Sequence, residues 1–192
     1  TLRLSGASSG TYTAVLDQQG DMLLALADMA LYDQLTPDAL ARTEQQRACA
    51  SLIVADLNLP SSTVQALLDD AARFGVPLVL VAVSEPKMDR LPQFLAGLRL
   101  LILNQGELEA RIGHAIDSDA ALAAACAELQ AQGAQDVIVT RGARGVSYTT
   151  DGGIAHLAAL DASVIDVTGA GDAFAAAVSW TLHQGSDDLE LA

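Results

Sequence analysis

Between Ser51 and Thr140 the chain alternates short continuous apolar runs with helix-compatible stretches, and no other feature narrows its possible folds as much. The runs at Ser51 to Ala55, Leu78 to Val83, Leu100 to Leu103 and Val137 to Thr140 are uninterrupted. A strand with one face in water alternates apolar and polar residues, so unbroken runs predict strands buried on both faces. Between them, helices are predicted over about Ser62 to Phe74, Glu107 to Ile112 and Ser118 to Gln132. This succession predicts an α/β fold: a three-layer, doubly wound, mainly parallel sheet covered by helices on both faces. Ligands of such sheets bind at the carboxyl ends of strands, where Asn104 and Thr140 fall.

The flanking segments add two β pieces. Thr11 to Asp17 and Met22 to Ala27 are joined by Gln18-Gln19-Gly20-Asp21, a polar, glycine-containing connection that predicts a hairpin. Residues 1–34 therefore read as a partial β appendage and residues 35–192 as a partial α/β core. Thr36-Pro37 sets a capping residue before a proline at the first helical position and predicts a helix to about Ala48. Gly145 to Tyr148 and Ile154 to Leu157 flank Asp151-Gly152-Gly153, a second hairpin signal, and a helix is expected from about Gly171 to His183. Ser186 to Ala192 reads as another helix just beginning, and no strand precedes the first hairpin to supply the first layer of a core. Both ends suggest part of a longer protein.

Composition restricts the partners. Ten basic against twenty-four acidic residues give a formal net charge of −14, which excludes a general electrostatic attraction to nucleic acid. An anionic ligand would need a local device, which backbone amides and a metal ion can supply without a basic patch. No apolar run is long enough to cross a bilayer, and no basic segment followed by an apolar one opens the chain, so a soluble, cytoplasmic protein is expected. Low aromatic content, 4%, favours helices packed on a sheet over a β-sandwich. Cys49 and Cys126 are isolated and are expected to be buried free thiols. His114, His156 and His183 share no metal-ligand spacing and read as ordinary surface or helix-end residues.

The chemistry concentrates in Asp166-Val167-Thr168-Gly169-Ala170-Gly171-Asp172-Ala173-Phe174. Gly169, Ala170 and Gly171 let main-chain N–H groups approach an anion closely, and the alanine-rich run after them is a helix. An anion there would meet unpaired N–H groups and the positive end of the helix macrodipole. Asp172, in the first turn, is placed to accept a proton beside that anion, and Asp166 and Thr168 add a carboxylate and a hydroxyl where a cation can balance charge. A tight loop with Asp172 as a first-turn acid is the plainer alternative. Asn104 and Glu107 match a capping box as well as a pair of groups facing one site, and Gly142 and Gly145 match simple turn glycines. Arg141 and Arg144 suit either phosphate or solvent.

Taken together, the motifs resemble a known family. Asp166 to Phe174 is similar to the C-terminal signature of the ribokinase-like, or PfkB, family of sugar and nucleoside kinases. Asn104-Gln105-Gly106-Glu107 resembles its Asn-x-x-Glu motif, and Thr140-Arg141-Gly142-Ala143-Arg144-Gly145 its Thr-x-Gly-x-x-Gly nucleotide loop. The resemblance implies transfer of the γ-phosphoryl group of ATP to a hydroxyl, with Asp172 as base and the amides at Gly169, Ala170 and Gly171 as anion hole. It implies nucleotide contacts at Asn104, Thr140, Gly142 and Gly145, and Mg²⁺ held through water by Glu107. It also implies a monovalent cation such as K⁺ at Asp166 and Thr168. The hairpin would then be a lid that covers the sugar and contributes to a homodimer.

Tyr12 to Leu23, Ala27-Asp28-Met29 and Val54 to Asn58 look most like the pseudouridine kinases of this family, which implies 5′-phosphorylation of pseudouridine. Other sugar substrates such as ribose or fructose are the alternative. So is a catalytically silent fragment or interaction module on the same scaffold. Two departures from the pattern stand out: Val81-Ala82-Val83-Ser84 replaces an Asp-Pro pair, and Ile102-Leu103 replaces Lys-Pro before Asn104. Family members are longer, their further N-terminal part supplying a glycine-rich sugar motif and their C-terminal part an adenine pocket. Little turnover is therefore expected from these 192 residues alone.

Overall fold

The computed structural model describes residues 5–17, 22–164 and 166–185; the connection between the first two strands and the expected helix start at 186–192 lie outside the described residues. Strands β1 (Thr11–Leu16) and β2 (Met22–Asp28) form a separate antiparallel pair, as their composition predicts. The main sheet has six strands in chain order: β3 (Ile53–Asp56), β4 (Leu78–Val81), β5 (Leu98–Asn104), β6 (Asp136–Thr140), β7 (Val146–Thr150) and β8 (Gly153–Leu157). The first four run parallel and the last two close the sheet as an antiparallel hairpin.

The unbroken apolar runs have the expected cause. Successive side chains of a strand point to opposite faces, and here both faces are covered. Leu78, Leu80, Leu101, Leu103, Val137 and Val139 enter a large core beneath α3 (Ser61–Phe74), α4 (Gln105–Ile112) and α5 (Asp119–Ala131). Val79, Leu100, Ile102 and Ile138, their neighbours in sequence, face the other way and pack with Tyr148 against Ala175 and Val178 of α6 (Ala170–His183). The helix α6 has an amphipathic fit to the sheet but a largely exposed outer surface, on which Trp180 stands 64% exposed. Its C-terminal His183 lies 3.1 Å from Ser51, just before β3. Anchored at the amino end of a parallel strand, α6 directs its N-terminus toward the carboxyl edge of the sheet.

One element departs from the sequence reading. The helix expected from Pro37 to Ala48 is two short ones, α1 (Pro37–Ala41) and α2 (Glu44–Ala48). Thr43 breaks it: its hydroxyl donates to the Leu40 carbonyl at 2.9 Å, an alternative to continued helix that short polar side chains offer. Arg47 then ties this region to the core, donating from Nε and Nη2 to Asp70 of α3 and from Nη1 to the Leu40 carbonyl. The crossover from β4 to β5 carries only a 3₁₀ turn, Glu85–Arg90, where parallel strands usually have a helix. Arg90 of that turn pairs with Asp33 at 2.9 Å and donates to the Asn58 carbonyl at 2.6 Å, joining the segment after β2 to the end of β3. Among the described residues no helix is long and apolar enough to cross a membrane.

The cysteines also divide. Cys126 is buried in the main core, as expected, but Cys49 is exposed, because it ends the short helix α2 at the surface and has no sheet face to enter. Burial raises the Cys126 thiol to about 11. The thiolate is the reactive form, so a native-state titration with a thiol reagent is expected to modify Cys49 alone. Cys126 should react only after unfolding, and equal native reaction of both would contradict this packing.

Candidate active site

The parallel pairing of β5 with β6 ends with Asn104 opposite Thr140, so two of the three sequence motifs leave the sheet side by side at its carboxyl edge. From Asn104 the chain enters α4. The Asn104 side chain accepts from the Glu107 N–H at 2.8 Å, and Glu107 Oε2 accepts from the Asn104 N–H at 2.7 Å, a complete capping box. The capping alternative is therefore realised, and it leaves Glu107 one carboxylate oxygen for other work. Glu107 is 4% exposed. Burial pushes its carboxyl above the usual range, the Asn104 N–H opposes that, and the nearby Glu85 carboxylate adds to it. Glu85 was not singled out by the sequence; it reaches this place because the 3₁₀ turn before β5 sets its carboxylate against Gly106.

From Thr140 the chain turns through a 3₁₀ segment, Gly142–Arg144. The loop is closed by Arg141 N–H donating to the Gly145 carbonyl at 2.8 Å and Gly145 N–H donating to the Gly142 carbonyl at 2.9 Å. Gly145 has φ +83°, and a side chain there would overlap the Leu157 carbonyl and come within 2.6 Å of the Ala159 nitrogen. Its glycine is thus required by packing as well as by conformation. Arg144 Nη2 donates to Gln105 Oε1 at 2.7 Å, so the Thr140 loop and the α4 N-terminus are bonded to each other. Gln105 in turn donates to Glu109 Oε1 and to the Ile116 carbonyl. The spacing of 39 residues between Arg144 and Gln105 gave no local signal of this contact.

The third motif opens α6 differently from α4 and α5. Asn104 caps α4 and Ser118 caps α5, but no side chain caps α6. Its N-cap Gly169 has φ +77°, and the Ala170 N–H is taken by the Val167 carbonyl at 3.1 Å. Among the described residues the N–H groups of Gly169, Gly171 and Asp172 have no protein acceptor. Open space surrounds the position a Gly171 side chain would take. Unpaired first-turn donors around open space, at the positive end of a helix packed on the sheet, suit an anion. Asp172 lies exposed in that first turn. Asp166 accepts from the Thr168 N–H at 2.8 Å, a hydrogen bond that lowers its carboxyl below the usual range and keeps it ionised. The orientation of α6 sets this motif toward the same sheet edge, while no hydrogen bond among the described residues joins it to Asn104 or Thr140.

A separate cavity of about 540 Å³ lies where the segment before β1 meets the turn after β2, lined by Ser5, Ala7, Ser8, Asp28, Leu31 and Gln34. It shares no residue with the three motifs. The hairpin itself leaves Tyr12, Leu23 and Leu26 more than half exposed.

Residues 1–192 match the model of the pfkB family carbohydrate kinases, and the chain belongs to that family. It is 31% identical over 179 residues to a pseudouridine kinase of Escherichia coli, covering 93% of this chain and 56% of that one. A carbohydrate kinase structure from Agrobacterium tumefaciens superposes with a TM-score of 0.75 at 30% identity, covering 95% of this chain and 58% of the other. The Arabidopsis thaliana ribokinase complexed with ribose and ATP shares the fold, with a TM-score of 0.73 at 20% identity over 93% of this chain and 57% of its own. The chain spans about half the length of the curated relatives it matches.

Three substitutions separate support from chemistry. Glu107→Gln retains an oxygen that can accept from the Asn104 N–H and removes a buried charge. Because the folded carboxyl of Glu107 is raised, the native state holds its proton more tightly, and wild-type stability falls as pH rises through that range. The variant is expected to be at least as stable as wild type at neutral pH, an advantage that vanishes in acid, where both carry no charge; denaturant titrations at several pH values check this. Gly145→Ala is expected to cost at least about 2 kcal/mol of stability from overlap and strain. Gly171→Ala, in open space inside a helix, is expected to cost none and to gain up to about 1 kcal/mol, while blocking anion approach; a thermal melt paired with a nucleotide titration distinguishes the two.

Proposed function

We propose that this chain carries the phosphoryl-transfer centre of an ATP-dependent kinase acting on a hydroxyl of a sugar or nucleoside, with pseudouridine as the preferred acceptor. The observation that carries the reading is the uncapped N-terminus of α6, with Asp172 in its first turn, in a chain that belongs to the pfkB family. The pseudouridine assignment draws on the 31% identity to the Escherichia coli enzyme and on the segments Tyr12 to Leu23 and Val54 to Asn58.

The chemistry asked of these residues is positioning and charge stabilisation more than covalent work. Asp172 takes the proton of the acceptor hydroxyl as its oxygen bonds to the γ-phosphorus and the bond to the bridging oxygen of ADP breaks. The free N–H groups of Gly169, Gly171 and Asp172 face the charge that shifts onto the transferring group, and they need no reorganisation to do so. Thr140, Gly142 and Gly145 present the nucleotide loop, and Asn104 stands beside it through the β5–β6 pairing. A Mg²⁺ ion, when bound with ATP, offsets phosphate charge. Glu107 fits as the residue that would hold it through water, since one of its oxygens is not used by the capping box. Asp166, kept ionised beside Thr168, fits a monovalent cation such as K⁺. The β1–β2 hairpin, with apolar residues on its exposed surface, fits a lid over the acceptor and a contact between two copies.

In the whole protein, Asp172→Asn is expected to lower kcat by about 10²- to 10⁴-fold with little change in ATP affinity; unchanged kcat removes Asp172 from the role of base. An ATP-consumption screen over pseudouridine, uridine, deoxyribose, ribose and fructose is expected to give the highest kcat/KM with pseudouridine. A clear preference for a free sugar would reassign the acceptor while leaving the transfer centre intact.

A further inference from the structure

The arginine inside the Thr140 to Gly145 loop is turned inward. From the sequence, the Arg141 guanidinium is free to reach outward to a phosphate. In the structure its Nη1 donates to Asp119 Oδ1 on the first turn of α5 at 3.1 Å and lies 3.4 Å from Ser147 Oγ on β7. Ser147 is fully buried, and its hydroxyl sits 2.8 Å from His156 Nδ1 on β8, an atom 3.5 Å from the same Nη1. Arg141 Nε is buried without a hydrogen-bond partner, a cost that an aliphatic side chain would avoid. The backbone N–H of the same residue closes the loop onto Gly145.

The donor order in this chain of contacts is dictated by chemistry. A guanidinium has only donors, so Ser147 Oγ accepts from Arg141 and its own proton is directed to His156 Nδ1. That arrangement requires Nδ1 to be unprotonated. When the imidazole gains a second proton, Nδ1 becomes a donor, Ser147 loses its acceptor, and a second cation stands beside the guanidinium. Among the described residues, the charged groups facing this imidazole are Arg141, which follows β6, and Asp119 of α5, which meets it through Arg141.

We propose that Arg141 is a positioning residue for the nucleotide loop, anchored through Ser147, Asp119 and His156, and that the anchor holds only while His156 is neutral. The inference rests on reading Thr140 to Gly145 as the nucleotide loop. It gives the half-buried guanidinium a purpose that phosphate contact does not: it fixes Arg141, and with it the Gly142 and Gly145 backbone.

Amide hydrogen exchange tests the anchor without relying on turnover. The Arg144 and Gly145 N–H groups, which donate within the loop, report on its closure. Arg141→Met is expected to speed their exchange by about tenfold or more while α3 amides keep wild-type protection, and to weaken ADP binding by a similar factor; Arg141→Lys, which keeps a donor, is expected to recover part of both. In wild type, loop protection corrected for intrinsic exchange should fall as acid protonates the His156 imidazole. His156→Gln, whose amide oxygen replaces the ring acceptor, should abolish that pH dependence. Unchanged loop exchange in Arg141→Met, or the same pH profile in His156→Gln, overturns the proposal; if Arg141→Met does not fold, the comparison of wild type with His156→Gln decides it. If the loop behaves as expected but wild type binds neither ATP nor ADP, the nucleotide reading fails and the anchor stands.

Discussion

The pairing of β5 with β6 is the constraint on which the rest of the molecule depends. It aligns Leu100 with Asp136 at one end and Asn104 with Thr140 at the other. A shift by one residue would exchange the two faces of the ladder, sending Leu101, Leu103, Val137 and Val139 away from the α3, α4 and α5 side. Because both faces are buried, that exchange has no water-facing alternative, and the register is held by packing along its whole length. The same register delivers the α4 capping box and the Thr140 loop to one edge, where Arg144 and Gln105 then bond them together.

The helix termini at that edge divide the work. At α4 the Asn104 and Glu107 side chains satisfy backbone donors, which stabilises the helix and leaves a single carboxylate oxygen of a buried acid toward the site. At α5 Ser118 accepts from Ala121 and Asp119 reaches Arg141, so this terminus supports the neighbouring loop. The helix α6 starts without a side-chain cap, on a left-handed glycine, with donors unpaired. A terminus of that kind forgoes the roughly 1 kcal/mol that a capping side chain contributes. What it keeps in exchange is a set of oriented N–H groups available to a ligand, and its rigidity comes from Ala175 and Val178 packed on the sheet instead.

Much of this was legible from residue pattern. The unbroken apolar runs identify the four parallel strands because two-sided burial leaves no polar positions, and Asp151-Gly152-Gly153 identifies the β7–β8 hairpin because the turn demands it. The capping box at Asn104 and Glu107 and the glycine start of α6 are local signals read over three or four residues. Contacts that close over long sequence separations left no such trace. Arg141 is an ordinary surface candidate until β7 and β8 fold back beneath it, and Glu85 has no visible link to Gly106 until the 3₁₀ turn places it there. Cys49 and Cys126 look alike in sequence, yet only Cys126 sits on a helix long enough to present a face to the core.

Local residue pattern sets the class of fold, the order of its elements, and the residue types of the proposed phosphoryl-transfer centre, because these depend on periodicity, turn chemistry and backbone permissiveness within a few residues. The tertiary structure alone decided which of those groups remain available. It committed one oxygen of Glu107 and the Ala170 amide to structural bonds, turned Arg141 inward and Arg144 across to α4, and left the first turn of α6 open. Availability is a property of what surrounds a polar group, and those surroundings come from strands and helices far apart in the chain.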